Sequence, residues 1–87
     1  MLTVTKAARE QLTGILSTVD APENSAVRLV LSSKGFKLEV GRVEQDDETF
    51  SHDGNVVLVL DKEVSQMLSD KKLAVQGTQE RKRLTLV

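Results

Sequence analysis

"VRLVLSSKGFKLEV", Val27–Val40, decides how the rest of this chain is read. Val27, Leu29 and Leu31 alternate with Arg28 and Val30. Phe36, Leu38 and Val40 alternate with Lys37 and Glu39. A period of two predicts two strands, each with one apolar face. Between them stand Ser32, Ser33, Lys34 and Gly35, all ordinary turn residues. The stretch therefore predicts a hairpin, with strands over Ala26–Ser32 and Phe36–Val43. Val43 falls out of phase with Val40 by one residue, and Gly41 sits at the break. That spacing predicts a bulge at Gly41.

Upstream, Ala8, Leu12, Ile15, Leu16 and Val19 recur at helical spacing, with Thr5 placed to cap the helix. Asp20-Ala21-Pro22 is the expected stop, since the residue before proline avoids helical geometry. Downstream, Glu48, Phe50 and His52 share one face of a short strand. Asp53-Gly54 is a two-residue hairpin signal. "NVVLVL", Asn55–Leu60, is continuous and β-branched, as a central strand covered on both faces would be. Asp61 is placed to cap a short helix through Leu68, with Val64, Met67 and Leu68 facing inward. Leu73–Val75 and Leu84–Leu86 close the chain as a last strand pair. The fold class expected is α+β: a strand-dominated, mixed or antiparallel sheet core with an N-terminal helix and a short second helix.

Eighty-seven residues make one domain, residues 1–87. There is no cysteine, so disulfides, thiolate catalysis and all-cysteine metal sites are excluded within this sequence. The net charge of −1 steers the chain toward neither nucleic acid nor an anionic membrane. The opening residues have no basic-then-apolar leader pattern, and the longest apolar run is Val56–Leu60. A cytoplasmic protein without a membrane segment is the expectation. Charge is nonetheless segregated. Residues 39–61 carry seven acidic groups and one basic group, whereas residues 62–87 carry six basic and three acidic. Such a pattern suits a self-complementary assembly, and equally a solvated surface.

The element order is similar to that of the A-type iron–sulfur carrier family, the HesB/IscA-like domain. "LTVTKAAREQLTGIL" resembles its opening strand and helix. "VRLVLSSKGFKLEV" resembles its hairpin with a glycine-containing tip. "FSHDGNVVLVLDKEVSQML" resembles its short strand, turn, valine-rich strand and second helix. "KLAVQ" and "RLTLV" resemble its closing hairpin. The resemblance covers about Leu2 to Val87. It implies a HesB-like fold and a link to iron–sulfur cluster biosynthesis, with homo-oligomers as that family forms. It also implies three cysteine ligands, one in the tip and two in a Cys-Gly-Cys tail beyond the closing hairpin. Here the tip reads Ser32-Ser33-Lys34-Gly35, and the sequence ends at Val87 before such a tail. The expectation is a non-enzymatic, cysteine-free relative that works through protein contacts, with no cofactor, metal or catalytic residue assigned.

Three places carry chemistry worth following. Ser32, Ser33, Lys34 and Gly35 could receive an anion or a partner, though turn chemistry alone explains them. Arg81, Lys82 and Arg83, with Lys71 and Lys72 nearby, are a candidate partner-binding basic edge. The same residues also serve to protect a terminal strand. Aromatic residues for stacking nucleic-acid bases are lacking, since only Phe36 and Phe50 occur and both sit at core positions. Asp46, Asp47, Glu48, His52 and Asp53 are the one group with hard-metal ligand chemistry. Divalent-metal or small-ligand binding through this acidic connection and His52 is the alternative reading.

Overall fold

The computed structural model describes residues 2–19, 24–78 and 80–87. Thr3–Val4 (β1) leads into the helix Lys6–Thr18 (α1). Thr5 caps α1 from an extended backbone, its hydroxyl accepting from the Ala8 amide at 3.1 Å. Ala8 and Leu12 are wholly buried, and Ile15 and Leu16 pack at the core margin. Val19 does not continue this stripe. It is the C-cap, extended and 41% exposed, because the helical period ends one residue earlier. The expected stop at Asp20-Ala21-Pro22 lies outside the described residues.

The Val27–Val40 hairpin forms as expected. Ser25–Ser32 (β2) pairs antiparallel with Gly35–Arg42 (β3), from Ser25 opposite Arg42 to Ser32 opposite Gly35. That register is unbroken, so the bulge expected at Gly41 is absent. Gly41 pairs with Ala26, and β3 simply ends before Val43, whose amide donates to the Asn24 carbonyl at 2.8 Å. The glycine leaves bare space instead. A Cβ built there would lie 3.9 Å from Arg28 Nε, so the arginine side chain passes over this point.

The irregularity lies in the next hairpin, Glu48–His52 (β4) with Asn55–Leu60 (β5). Phe50 faces Leu58 while Ser51 faces Val56, which leaves Val57 as an extra residue on β5. Strand β4 therefore keeps its alternation. Phe50 is buried, Glu48 and His52 are half-buried, and Thr49 and Ser51 are exposed. The turn uses positive φ at Asp53 (52°) and Gly54 (83°), as an Asp-Gly hairpin requires. Strand β5 lies between β2 and β4 in the order β3-β2-β5-β4, parallel to β2. Covered on both faces, Val57, Leu58, Val59 and Leu60 are all buried.

Asp61 caps Lys62–Met67 (α2) by accepting from the Val64 amide at 2.8 Å. Val64 and Leu68 are buried. Met67, expected inward, is 67% exposed. A helix this short brings one i,i+4 pair onto the core, and Met67 falls beside that pair.

Lys72–Gln76 (β6) and Arg83–Leu86 (β7) form the closing antiparallel hairpin. They do not join the first sheet. With β1 parallel on the far side of β6 they make a second sheet, ordered β1-β6-β7. Val4 and Leu73 from this sheet, with Leu2 just before it, meet Ala8 and Leu12 of α1 and Leu29, Leu58 and Leu60 of the larger sheet in one core. Each such leucine contributes about 2–3 kcal/mol through burial. No helix among the described residues is long and apolar enough to cross a membrane.

Candidate functional site

The hairpin tip is stabilised from within. Ser32 Oγ donates to the Gly35 carbonyl at 3.3 Å and accepts from the Lys34 amide at 3.3 Å. Gly35 takes φ 125°, which closes the turn. One hydroxyl and one amide that an anion would need are thus engaged in the turn itself. Ser33 and Lys34 remain exposed on it.

The acidic connection is not the uniform solvated stretch its composition suggests. Asp46 is exposed, but the Asp47 side chain is only 5% exposed. Arg28 reaches it from β2 with both arms of its guanidinium, Nη2 to Oδ2 at 2.5 Å and Nη1 to Oδ1 at 3.1 Å. The Glu44 amide donates to Asp47 Oδ2 at 2.7 Å, and Arg28 Nη2 also donates to the Arg42 carbonyl at 3.0 Å. The guanidinium hydrogen bonds hold the Asp47 carboxyl below the usual carboxylate range and push the Arg28 pKa further up. Next to this pair an open groove of about 480 Å³ is lined by Asp46, Asp47, Glu48, Lys62, Ser65 and Gln66. Ser65 Oγ donates to Glu48 Oε2, which ties α2 to β4.

His52 stands apart from this cluster. Its Nε2 is 3.4 Å from Asp53 Oδ2, at the β4–β5 turn. The structure therefore does not unite His52 with Asp46, Asp47 and Glu48. Among the described residues no three His, Cys, Asp or Glu groups converge as metal ligands. The sequence reading missed the partner of Arg28. An arginine in an otherwise apolar strand, with aspartates in the following connection, was the available signal.

The basic residues do come together. Gly77, Thr78, Arg81, Lys82 and Arg83 line an open hollow of about 390 Å³ at the β6–β7 turn. Gly77 (φ 114°) passes directly beneath the Arg81 backbone. A Cβ there would lie 2.0 Å from the Arg81 carbonyl oxygen. Arg81, Lys82 and Arg83 are exposed. Lys71 and Lys72 lie at the opposite end of β6, away from this group.

No family model matches the chain. No curated protein matches it in sequence. Among solved structures, the crystal structure of SufA from Escherichia coli, a protein involved in biosynthesis of iron–sulfur clusters, superposes with a TM-score of 0.76. The match has 20% identity and covers 99% of this chain and 83% of SufA. The chain has the fold of SufA. This is the HesB-like, strand-dominated α+β fold that the resemblance to A-type carriers implies. At this identity the likeness to SufA is one of fold, and the site must be judged on its own residues. They do not fit an iron–sulfur cluster. Where the resemblance implies a thiolate, the Ser32–Gly35 tip offers only hard, neutral serine hydroxyls, and that of Ser32 is already bonded within the turn.

Proposed function

We propose that this chain is a non-enzymatic accessory domain related to iron–sulfur cluster biosynthesis, which keeps the SufA fold, lacks cluster-ligating thiolates and acts in the cytoplasm by binding a protein partner. One observation carries the reading: the SufA fold spans 99% of the chain, while the hairpin tip carries Ser32-Ser33-Lys34-Gly35 and no thiol. A fold retained without its reactive ligand still presents shaped, charged surfaces. The polar groups beside the larger groove support the same view. Asp47 is engaged by Arg28 through both carboxylate oxygens, which suits a structural role better than proton transfer. Self-assembly through the segregated charge is compatible with this role.

The test is affinity capture of the tagged chain from its own cells, followed by size-exclusion chromatography. The expected result is a stoichiometric complex with another protein that survives the column. A chain that elutes as a lone monomer and retains nothing would overturn the reading.

A further inference from the structure

The edge of β7 is a second surface, apart from the groove beside Asp47. Lys72 and Val87 exchange both backbone hydrogen bonds, at 2.9 and 2.8 Å. In an antiparallel ladder such bonded pairs alternate with non-bonded ones. Thr85 opposite Ala74 and Arg83 opposite Gln76 are therefore bonded pairs. Leu84 opposite Val75 and Leu86 opposite Leu73 are not. The amides and carbonyls of Leu84 and Leu86 consequently point away from β6. As β7 ends the order β1-β6-β7, these four groups form an open sheet edge among the described residues.

The two faces of that edge differ. Leu84 and Leu86 turn their side chains to the core, where they pack against its margin. Arg83 and Val87 are exposed on the other face, which Thr85 shares by alternation. Arg81 and Lys82 stand at the entrance to the strand. None of the three cations has an ion pair or side-chain hydrogen bond among the described residues. The edges of the larger sheet are different: on β3, Lys37 is paired with Glu39 at 3.0 Å, so it presents no single sign, and on β4 the Ser51 carbonyl already accepts from Arg9 Nη1 at 2.9 Å. Three like charges beside β7 repel the same edge of a second copy and attract an acidic strand.

We propose that β7 takes up an extended segment of a partner protein in which acidic and apolar residues alternate. Its backbone pairs with Leu84 and Leu86, its acidic side chains lie beside Arg81, Lys82 and Arg83, and its apolar ones continue the Leu84/Leu86 face. This rests on the reading of the chain as an interaction domain and names the chemistry of the partner.

The probe is a synthetic octapeptide alternating glutamate and valine, with a lysine–valine peptide as control, titrated into the isotope-labelled full chain at low salt. The Glu–Val peptide should bind and slow hydrogen exchange at the Leu84 and Leu86 amides by about tenfold or more, leaving β3 amides unchanged. Raising the salt to a few tenths molar should weaken binding about tenfold. The triple variant Arg81→Glu, Lys82→Glu, Arg83→Glu should lose this peptide and accept the Lys–Val one. Absence of binding, binding without protection of those two amides, or protection at β3 instead would each overturn the proposal. The accessory-domain reading is judged separately, by whether the captured partner is present at all. A partner retained by the triple variant overturns the β7 inference and leaves the broader function standing.

Discussion

Arg28 on β2 and Asp47, nineteen positions later in the acidic connection, form a two-pronged ion pair over the bare backbone of Gly41. The pair pins the connection between β3 and β4 against the sheet. The Asp47 side chain is only 5% exposed, so water replaces its partner poorly.

Removing one side of this pair should therefore cost more than a surface ion pair does. Asp47→Ala leaves the guanidinium without its acceptor and the Glu44 amide without its own. A loss of about 2–3 kcal/mol is expected in urea unfolding. The double variant Arg28→Met, Asp47→Ala should cost less than the sum of the single changes. Because Arg28 holds the Asp47 pKa down in the folded state, its contribution is present above the ordinary carboxylate pKa of about 4. It is lost as pH falls further, through the depressed folded value. Wild type should thus lose stability between neutral pH and pH 3 more steeply than Asp47→Ala.

Two glycines separate open space from a true backbone constraint. Gly41→Ala places its methyl at ordinary contact distance from Arg28, inside a regular strand. It should be neutral or stabilise by up to about 1 kcal/mol. Gly77→Ala combines φ 114° with a clash against the Arg81 carbonyl and should destabilise by about 2 kcal/mol or more. Thermal melts of the two variants, run side by side, check the pair. A bulge at Gly41 would instead make both substitutions costly.

Burial separates two other side chains. Leu58 is fully enclosed in the central strand, so Leu58→Ala should cost about 2–5 kcal/mol. Met67 lies on α2 with two-thirds of its surface in water, and Met67→Ala should stay within about 0.5 kcal/mol. Denaturant midpoints distinguish the two directly.

The elements were legible in the sequence wherever one physical rule governed them. Val27–Val40 and Asp53-Gly54 follow from alternation and turn chemistry. Thr5 and Asp61 were placed by capping alone, and both bond as expected. What failed depended on distant partners. Gly41 reads as a bulge from its own strand alone, because the register that decides it belongs to β2. The extra residue at Val57 was hidden inside an unbroken apolar run, where alternation leaves no trace. The division into two sheets leaves no mark in the sequence, because it rests on β6 and β7 pairing with each other and with β1 but with no strand of the larger sheet. The same limit applied to the site. Arg81, Lys82 and Arg83 are adjacent in sequence, so their grouping needs no fold to be read. The Arg28–Asp47 pair needed the fold to bring it together.

On the function proposed above, this SufA-like fold operates without binding a cluster. Iron and acid-labile sulfide should be measured, with the visible spectrum, after anaerobic purification and attempted cluster reconstitution. A colourless protein with sub-stoichiometric iron and sulfide is the expected result, as no thiolate is present to ligate them. Stoichiometric iron and sulfide with a charge-transfer absorption band, retained by the isolated chain through gel filtration, would contradict it.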